Sequence, residues 1–273
     1  MRFLFPRYED AAKSVYDHQY GFSTRYPNSR ARRIHPDTDK YHWVVYNSSG
    51  LRESREFTSP GRFRVGIFGD SFVENTSLPV EYGFPEVLDY LLNSNGDRFD
   101  VINFGMNGYG ADESYLSFLR CPAARNLNYV FYVFCWNDLM DNFNHRLISL
   151  GPKNELIFNN PHPKHNFLSK LYLTYLFIEA KDDLQDKFDG VFLPGHGPKD
   201  LNYAIRLYQA ILKEWFLRAP SLTVAILPFY EEARIKDLVP AGIRCINLHK
   251  QFYDYFPHPS YRLRFKHDGH WAI

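Results

Sequence analysis

An α/β chain, with strands and helices alternating around a parallel sheet, is what this sequence predicts, on three observations. Short and nearly continuous apolar runs recur from Arg64 onward, the pattern of strands covered on both faces. Between them lie segments whose apolar residues recur at helical spacing. Polar, glycine-containing clusters follow directly after several runs, where an open α/β sheet places its ligands.

Taken in order, residues 1–60 are polar, aromatic and rich in turn formers, as in YPNSRARRIHPDTDKYHW. They read as a lead-in segment packed on the surface of the main domain, with one short strand and turn at HWVVYNSSGLRES. The main domain spans residues 61–273. RVGIF predicts its first buried strand, and GFPEVLDYLLNSNG a helix with Leu88, Leu91 and Leu92 on one face. DVINFG follows as a strand, and ADESYLSFLR as a helix with an acidic first turn, which suits the helix dipole. NYVFYVFCW is the third strand. Residues 140–200, rich in Pro, Asn and His, predict an irregular insertion over the strand ends with one helix near Lys170 to Lys187. In LNYAIRLYQAILKEWFLR, Ala204, Leu207, Ala210, Ile211 and Trp215 recur at helical spacing. Strand LTVAILPF, helix EEARIKDLV and strand RCINLH complete a βα alternation.

Composition narrows the function classes. Lys plus Arg (32) nearly balances Asp plus Glu (31), for a net charge of +1. Without a basic excess, counterion release cannot drive strong nucleic-acid binding, so no nucleic-acid partner is expected. Cys121, Cys135 and Cys245 are odd in number and widely spaced, and read as small hydrophobes rather than a disulfide framework or metal site. No segment approaches the roughly 18 apolar residues of a membrane span. MRFLFPRYED breaks on Pro6 and acids and is no signal peptide, so a cytoplasmic chain is expected. The Asn47-Ser48-Ser49 and Asn75-Thr76-Ser77 sequons then have no use.

Four polar clusters stand at predicted strand ends or in the closing loop: Gly69-Asp70-Ser71, NFGMNGYG, CWND and KHDGHW. Together they suit nucleophilic catalysis. A serine hydroxyl attacks well only when a base takes its proton. His270 can be that base, and Asp268 can hold its imidazole in the required tautomer. The N–H groups of Ser71 and Gly108 and the side chain of Asn137 can form an oxyanion hole.

These residues, GDSF, NFGMNGYG, CWND and DGHW in this order, resemble the SGNH hydrolases, the GDSL esterase and lipase superfamily. The resemblance runs from about Arg64 to Trp271. It implies a three-layer α/β/α, flavodoxin-like fold around a central parallel five-stranded sheet. It also implies Ser71 as nucleophile, Asp268 and His270 as the other triad members, and Gly108 and Asn137 in the oxyanion hole. YNSSGLRESREF looks like the Asn-x-x-Gly-x-Arg lead-in of SGNH proteins linked with bacterial polysaccharide modification. Four departures stand out. Cys135 replaces a glycine two before the asparagine, and Asn75 replaces one after the first motif. Asp268 and His270 are two apart rather than three. The chain stops at Ile273, where the family adds a helix, so one expectation is a truncated and marginally stable chain, and the other is that another element covers that edge.

An α/β-hydrolase elbow needs Gly-x-Ser-x-Gly, which the window Gly69 to Val73 does not supply. Three close ligands at His267, Asp268 and His270 make a poor metal site, and no phosphate loop serves a nucleotide, so neither metal nor cofactor is expected. The sequence reading is a serine esterase removing small acyl groups from a carbohydrate ester. Its alternatives are an O-acyltransferase and a non-catalytic carbohydrate-binding relative. Phe72, Tyr109 and Trp136 are the aromatics placed to stack on a sugar ring.

Overall fold

The computed structural model describes residues 14–17, 21–35, 38, 40–57, 61–96, 98–159, 201–227 and 238–248. The predicted helices near 170–187 and across most of EEARIKDLV, and the closing motif with Asp268 and His270, lie outside them.

The strands that carry the sheet are β5 (Phe63–Phe68), β6 (Phe99–Asn103), β7 (Tyr129–Phe134), β10 (Thr223–Ile226) and β11 (Arg244–Asn247). All neighbours are parallel, in the spatial order β6-β5-β7-β10-β11. In order of appearance this is 2-1-3-4-5, the doubly wound flavodoxin-like arrangement. Helix α2 (Phe84–Leu92) packs beside β6, while α3 (Ala111–Arg120), α4 (Asn137–His145) and α5 (Leu201–Arg218) pack together. The chain therefore forms a three-layer α/β/α sandwich.

The period of two along β5 divides two apolar layers. Val65 and Ile67 enter one core with Val73, Val101 and Val133. Phe68 enters the larger one, stacked on Phe104 at 4.4 Å and edge-on to Trp215 at 5.2 Å. Trp215 is fully buried and touches Tyr115, Phe118 and Tyr132 as well. It fastens α5 to the sheet, the role its helical spacing suggests.

The expected apolar face of α2 is corrected in part, since Leu88 packs against the core with Val65, Ile67 and Val101. Leu91 and Leu92 are exposed, whereas Pro85 and Asp89 are buried. A buried acid wins this face because it is fully used: Asp89 Oδ1 accepts from Val101 N–H and Oδ2 from Arg55. Burial of a carboxylate is tolerated when its oxygens are paired.

The lead-in is more ordered than one strand and turn. It forms two hairpins, β1 (Ser14–Asp17) with β2 (Phe22–Arg25), and β3 (Arg30–Ile34) with β4 (Tyr41–Val45). Phe22 packs edge-on against Tyr109, whose hydroxyl donates to Ser23 O at 2.7 Å. Tyr109 is thus a buried anchor, not a sugar-stacking ring. The start of the 140–200 region also holds a hairpin, β8 (Ile148–Leu150) with β9 (Leu156–Phe158), where irregular chain is expected. Among the cysteines, Cys135 is buried, Cys121 partly buried and Cys245 exposed on the edge strand β11. The reading of all three as buried hydrophobes therefore fails at Cys245. Among the described residues, no helix is long and apolar enough to cross a membrane.

Arg55 ties the lead-in to α2 through Glu53, Glu86 and Asp89. Burial first, and Glu53 second, push the Glu86 carboxyl from 4.5 up to about 8. A carboxyl raised in the folded state stabilises it below the unfolded pKa and loses that contribution as pH rises through the folded pKa. The melting temperature is therefore expected to fall between about pH 4.5 and 8. Glu86→Gln should flatten this slope, as followed by thermal denaturation across that range; an unchanged slope would reject the assignment.

Candidate active site

The order reversal between β6 and β7 makes the carboxyl ends of β5 and β7 the switch point, where doubly wound sheets bind ligands. Two of the predicted site residues begin helices here. Ser71 opens the short helix α1 (Ser71–Glu74) after β5, and Asn137 opens α4 after β7. Both are half-buried.

Asp70 links them. It is fully buried and caps α1, with Oδ1 accepting from Phe72 N–H at 2.9 Å. Its Oδ2 accepts from Asn137 Nδ2 at 3.0 Å. Asp70 thus secures the turn, as an aspartate before a helix does, and also fixes the Asn137 amide. The second Asn137 Nδ2 hydrogen goes to Asp141 Oδ2 at 3.1 Å. An oxyanion at this amide would compete with Asp141 for that hydrogen.

Close packing explains the glycines. At Gly69 a Cβ would lie 2.5 Å from Val73 and 2.9 Å from the Val133 carbonyl oxygen. At Gly105 it would lie 2.4 Å from Val73 Cβ and 2.5 Å from Glu74 N. The loop after β6 can press against α1 only without a side chain there. Gly105→Ala is expected to cost about 1–3 kcal/mol by overpacking. Urea unfolding measures it, and a neutral result would contradict this contact. Asn75 takes the left-handed conformation (φ 50°, ψ 52°) at the end of α1, so the asparagine does the glycine's work.

Gly108 sits exposed in the loop after β6, with φ at +77°. Its loop is tied to the serine segment by Met106 N–H donating to Gly69 O at 3.1 Å and Asn107 N–H to Glu74 Oε2 at 2.7 Å. The structure therefore gathers the segments of Ser71, Gly108 and Asn137. A cavity of about 450 Å³ opens nearby, lined by Arg25, Gly50, Phe104, Gly105 and Met106, but Ser71 and Asn137 do not line it.

Beneath Asn137, Asp138 Oδ2 accepts from Tyr132 OH at 2.5 Å and Cys135 N–H at 3.0 Å. Burial first, and Asp70 second, hold the Asp138 carboxyl well above the usual range. The Cys135 thiol is pushed up by burial and by the same two acids. It behaves as a packed hydrophobe in the glycine's place, not as a nucleophile. Phe72 and Trp136 are half-buried and pack on the two cores.

Sequence reasoning missed Glu74 and Arg25. Glu74 is buried and accepts from Arg25 Nε and Nη2 at 2.9 and 3.0 Å, Tyr46 OH at 2.9 Å and Asn107 N–H. Burial alone would raise its carboxyl, but the Arg25 charge and these donors outweigh it and hold it below the ordinary value. Arg52, also buried, donates to the carbonyls of Glu74 and Leu78. The lead-in motif thus serves here as a brace on α1. Asn47 accepts from Ser49 and Leu51 N–H, and Gly50 (φ +72°) lies where a Cβ would meet Arg25 O at 2.5 Å. No spacing rule pairs Arg25 with an acid so far along the chain; only the invariant need of a buried acid for a partner signals it.

No family model matches this sequence, and no curated protein matches it. Among solved structures it is similar to LAE5, an alpha/beta hydrolase enzyme from the metagenome of Lake Arreo, Spain. That likeness has 13% identity and a TM-score of 0.43, covering 77% of this chain and 88% of that one. It is also similar to a variant of Axe2, an acetyl xylan esterase from Geobacillus stearothermophilus, at 12% identity and a TM-score of 0.42, covering 77% and 88%. A second Axe2 variant matches at 12% identity and a TM-score of 0.40, covering 73% and 82%. At such identity, the chemistry of the site rests on this chain's own residues.

Proposed function

We propose that this chain is a serine esterase that removes small acyl groups from a carbohydrate through an acyl-enzyme on Ser71. One observation carries the reading: Ser71 and Asn137 begin the helices on either side of the switch point and are joined through Asp70. The resemblance of the four motifs to SGNH hydrolases supports it. In this reading Ser71 Oγ attacks the ester carbonyl while His270, oriented by Asp268, takes the proton. The negative oxygen accepts from the N–H groups of Ser71 and Gly108 and from Asn137 Nδ2. Collapse breaks the ester C–O bond, and His270 returns the proton to the departing sugar oxygen. Water then attacks the acyl-serine with His270 as base, releasing the acid and restoring the hydroxyl. A sugar hydroxyl in place of water gives the O-acyltransferase from the same intermediate. Turnover is expected to favour acetylated sugars over long-chain esters, and a clear preference for long chains would sink the carbohydrate assignment.

A non-catalytic sugar-binding protein is the second reading, favoured by the engagement of both Asn137 Nδ2 hydrogens with acids. Asn137→Ala separates the two. Loss of an oxyanion donor is expected to lower kcat by about 100- to 1,000-fold. If hydrolysis by the parent were already at the solvent background, the second reading would hold.

A further inference from the structure

Among the described residues, the β3–β4 ribbon has one packed face and one face on which no other element is packed. Ala31, Val44 and Tyr46 are buried on the inner side, where His42 Nε2–H donates to Thr76 O at 2.9 Å and Tyr46 OH to Glu74. The ribbon is thereby fixed to the segment that follows Ser71. On the outer face the period of two brings out Arg30 and Arg32 from β3 and Tyr41, Trp43 and Val45 from β4. Tyr41 and Trp43 are each 49% exposed, a pair of large rings left open to solvent on one face.

Among the described residues, the two arginines meet no acid. Arg30 lies 4.7 Å from the Trp43 ring centre, and Arg32 lies 3.7 Å from that of Tyr41. In the register Arg32 faces Trp43 and Ile34 faces Tyr41, so each guanidinium leans diagonally onto the ring of the neighbouring pair. Arg25, Arg55, Arg62 and Arg120 each meet a carboxylate, whereas among the described residues Arg30 and Arg32 meet none. Stacking holds a guanidinium plane in place while its N–H edge stays available for a planar anion. Residues two apart along a strand are separated by about 7 Å, so the face offers two such forks in a row, flanked by aromatic surface.

We propose that this face binds a carboxylate-bearing polysaccharide and holds the chain whose esters Ser71 would cleave, an inference that rests on the proposed function for its second half. Regularly spaced uronate carboxylates complement the two forks, and the exposed ring edges and Val45 suit the apolar faces of sugar rings. A nucleic acid fits less well. The chain as a whole carries only +1, and each ring already has a guanidinium on it in place of a base.

Binding of a fluorescently labelled oligogalacturonate to the Ser71→Ala protein, read by anisotropy at low salt, tests this without turnover. The double variant Arg30→Ala/Arg32→Ala is expected to weaken binding by about tenfold or more, since each charge-assisted contact contributes on that scale. Trp43→Ala should weaken it too, and a neutral oligosaccharide of equal length should bind less well than the oligogalacturonate. In the background that keeps Ser71, the double variant should leave hydrolysis of p-nitrophenyl acetate and the melting temperature unchanged. Equal binding by the double variant and its parent overturns the proposal, as does tighter binding of single-stranded DNA than of the oligogalacturonate. Oligogalacturonate binding that depends on both arginines, in a protein whose Ser71 hydrolyses no ester, upholds the surface and rejects the proposed function.

Discussion

Ser71→Ala is expected to lower hydrolysis of p-nitrophenyl acetate by at least about a thousandfold and to abolish labelling by a fluorophosphonate. The size follows from chemistry. Without the hydroxyl no acyl-enzyme forms, and the oxyanion donors alone retain only a small part of the acceleration. The fold should not change, because Ser71 is half-buried and α1 is held by neighbours. Asp70 caps it, Val73 fills the apolar layer, and Glu74 anchors its last turn. Labelling of the variant at the parental rate would place the nucleophile elsewhere. A parent that neither labels nor turns over would remove the acyl-enzyme altogether.

Glu74→Ala should give the largest loss of stability, about 3–5 kcal/mol by urea unfolding at neutral pH. The acid itself is not what makes the loss large. Removing it takes away the carboxylate to which Arg25, whose side chain is 12% exposed, donates twice, and unpairs the Tyr46 hydroxyl and the Asn107 N–H. Breaking a buried ion pair by removing one partner costs far more than the pair contributes. Replacing both residues, as in Arg25→Met/Glu74→Leu, should therefore recover much of the loss. The pH dependence is opposite to that of Glu86. Glu74 is held below its ordinary value, so its contribution is present above the unfolded pKa and is lost as pH falls through the folded one. A loss below about 1 kcal/mol for Glu74→Ala would mean that water reaches Arg25 and the brace is weak.

The two variants probe different layers of one arrangement. Ser71 carries the proposed chemistry, and Glu74, three residues on, belongs to the brace. The same short helix serves both, which is why Gly69 and Gly105 are needed for the close approach of β7 and of the loop after β6. The lead-in meets the main domain at this helix: Arg25 and Tyr46 grip the Glu74 carboxylate, and Arg52 the carbonyls beyond it. Any change that loosens the lead-in is therefore transmitted to the serine segment.

Periodicity alone determined the α/β class, the five sheet strands and the helix of Trp215, because a strand covered on both faces and an amphipathic helix each leave a local signature. The polar clusters were also legible locally, because Gly69-Asp70-Ser71, NFGMNGYG and CWND each follow an apolar run. Three things required the tertiary structure. The buried face of α2 went to Asp89 rather than Leu91 because Arg55 and the Val101 N–H reach it from distant segments. Tyr109 became an anchor rather than a sugar platform because Phe22 and Ser23 cover it. The exposed arginines of β3 acquired meaning only when pairing with β4 set them over Trp43 and Tyr41. In each case the deciding partner is far away in sequence. Local propensity and spacing are properties of neighbours along the chain, whereas the pairing of a buried charge or the covering of a ring is settled by whatever the fold brings alongside.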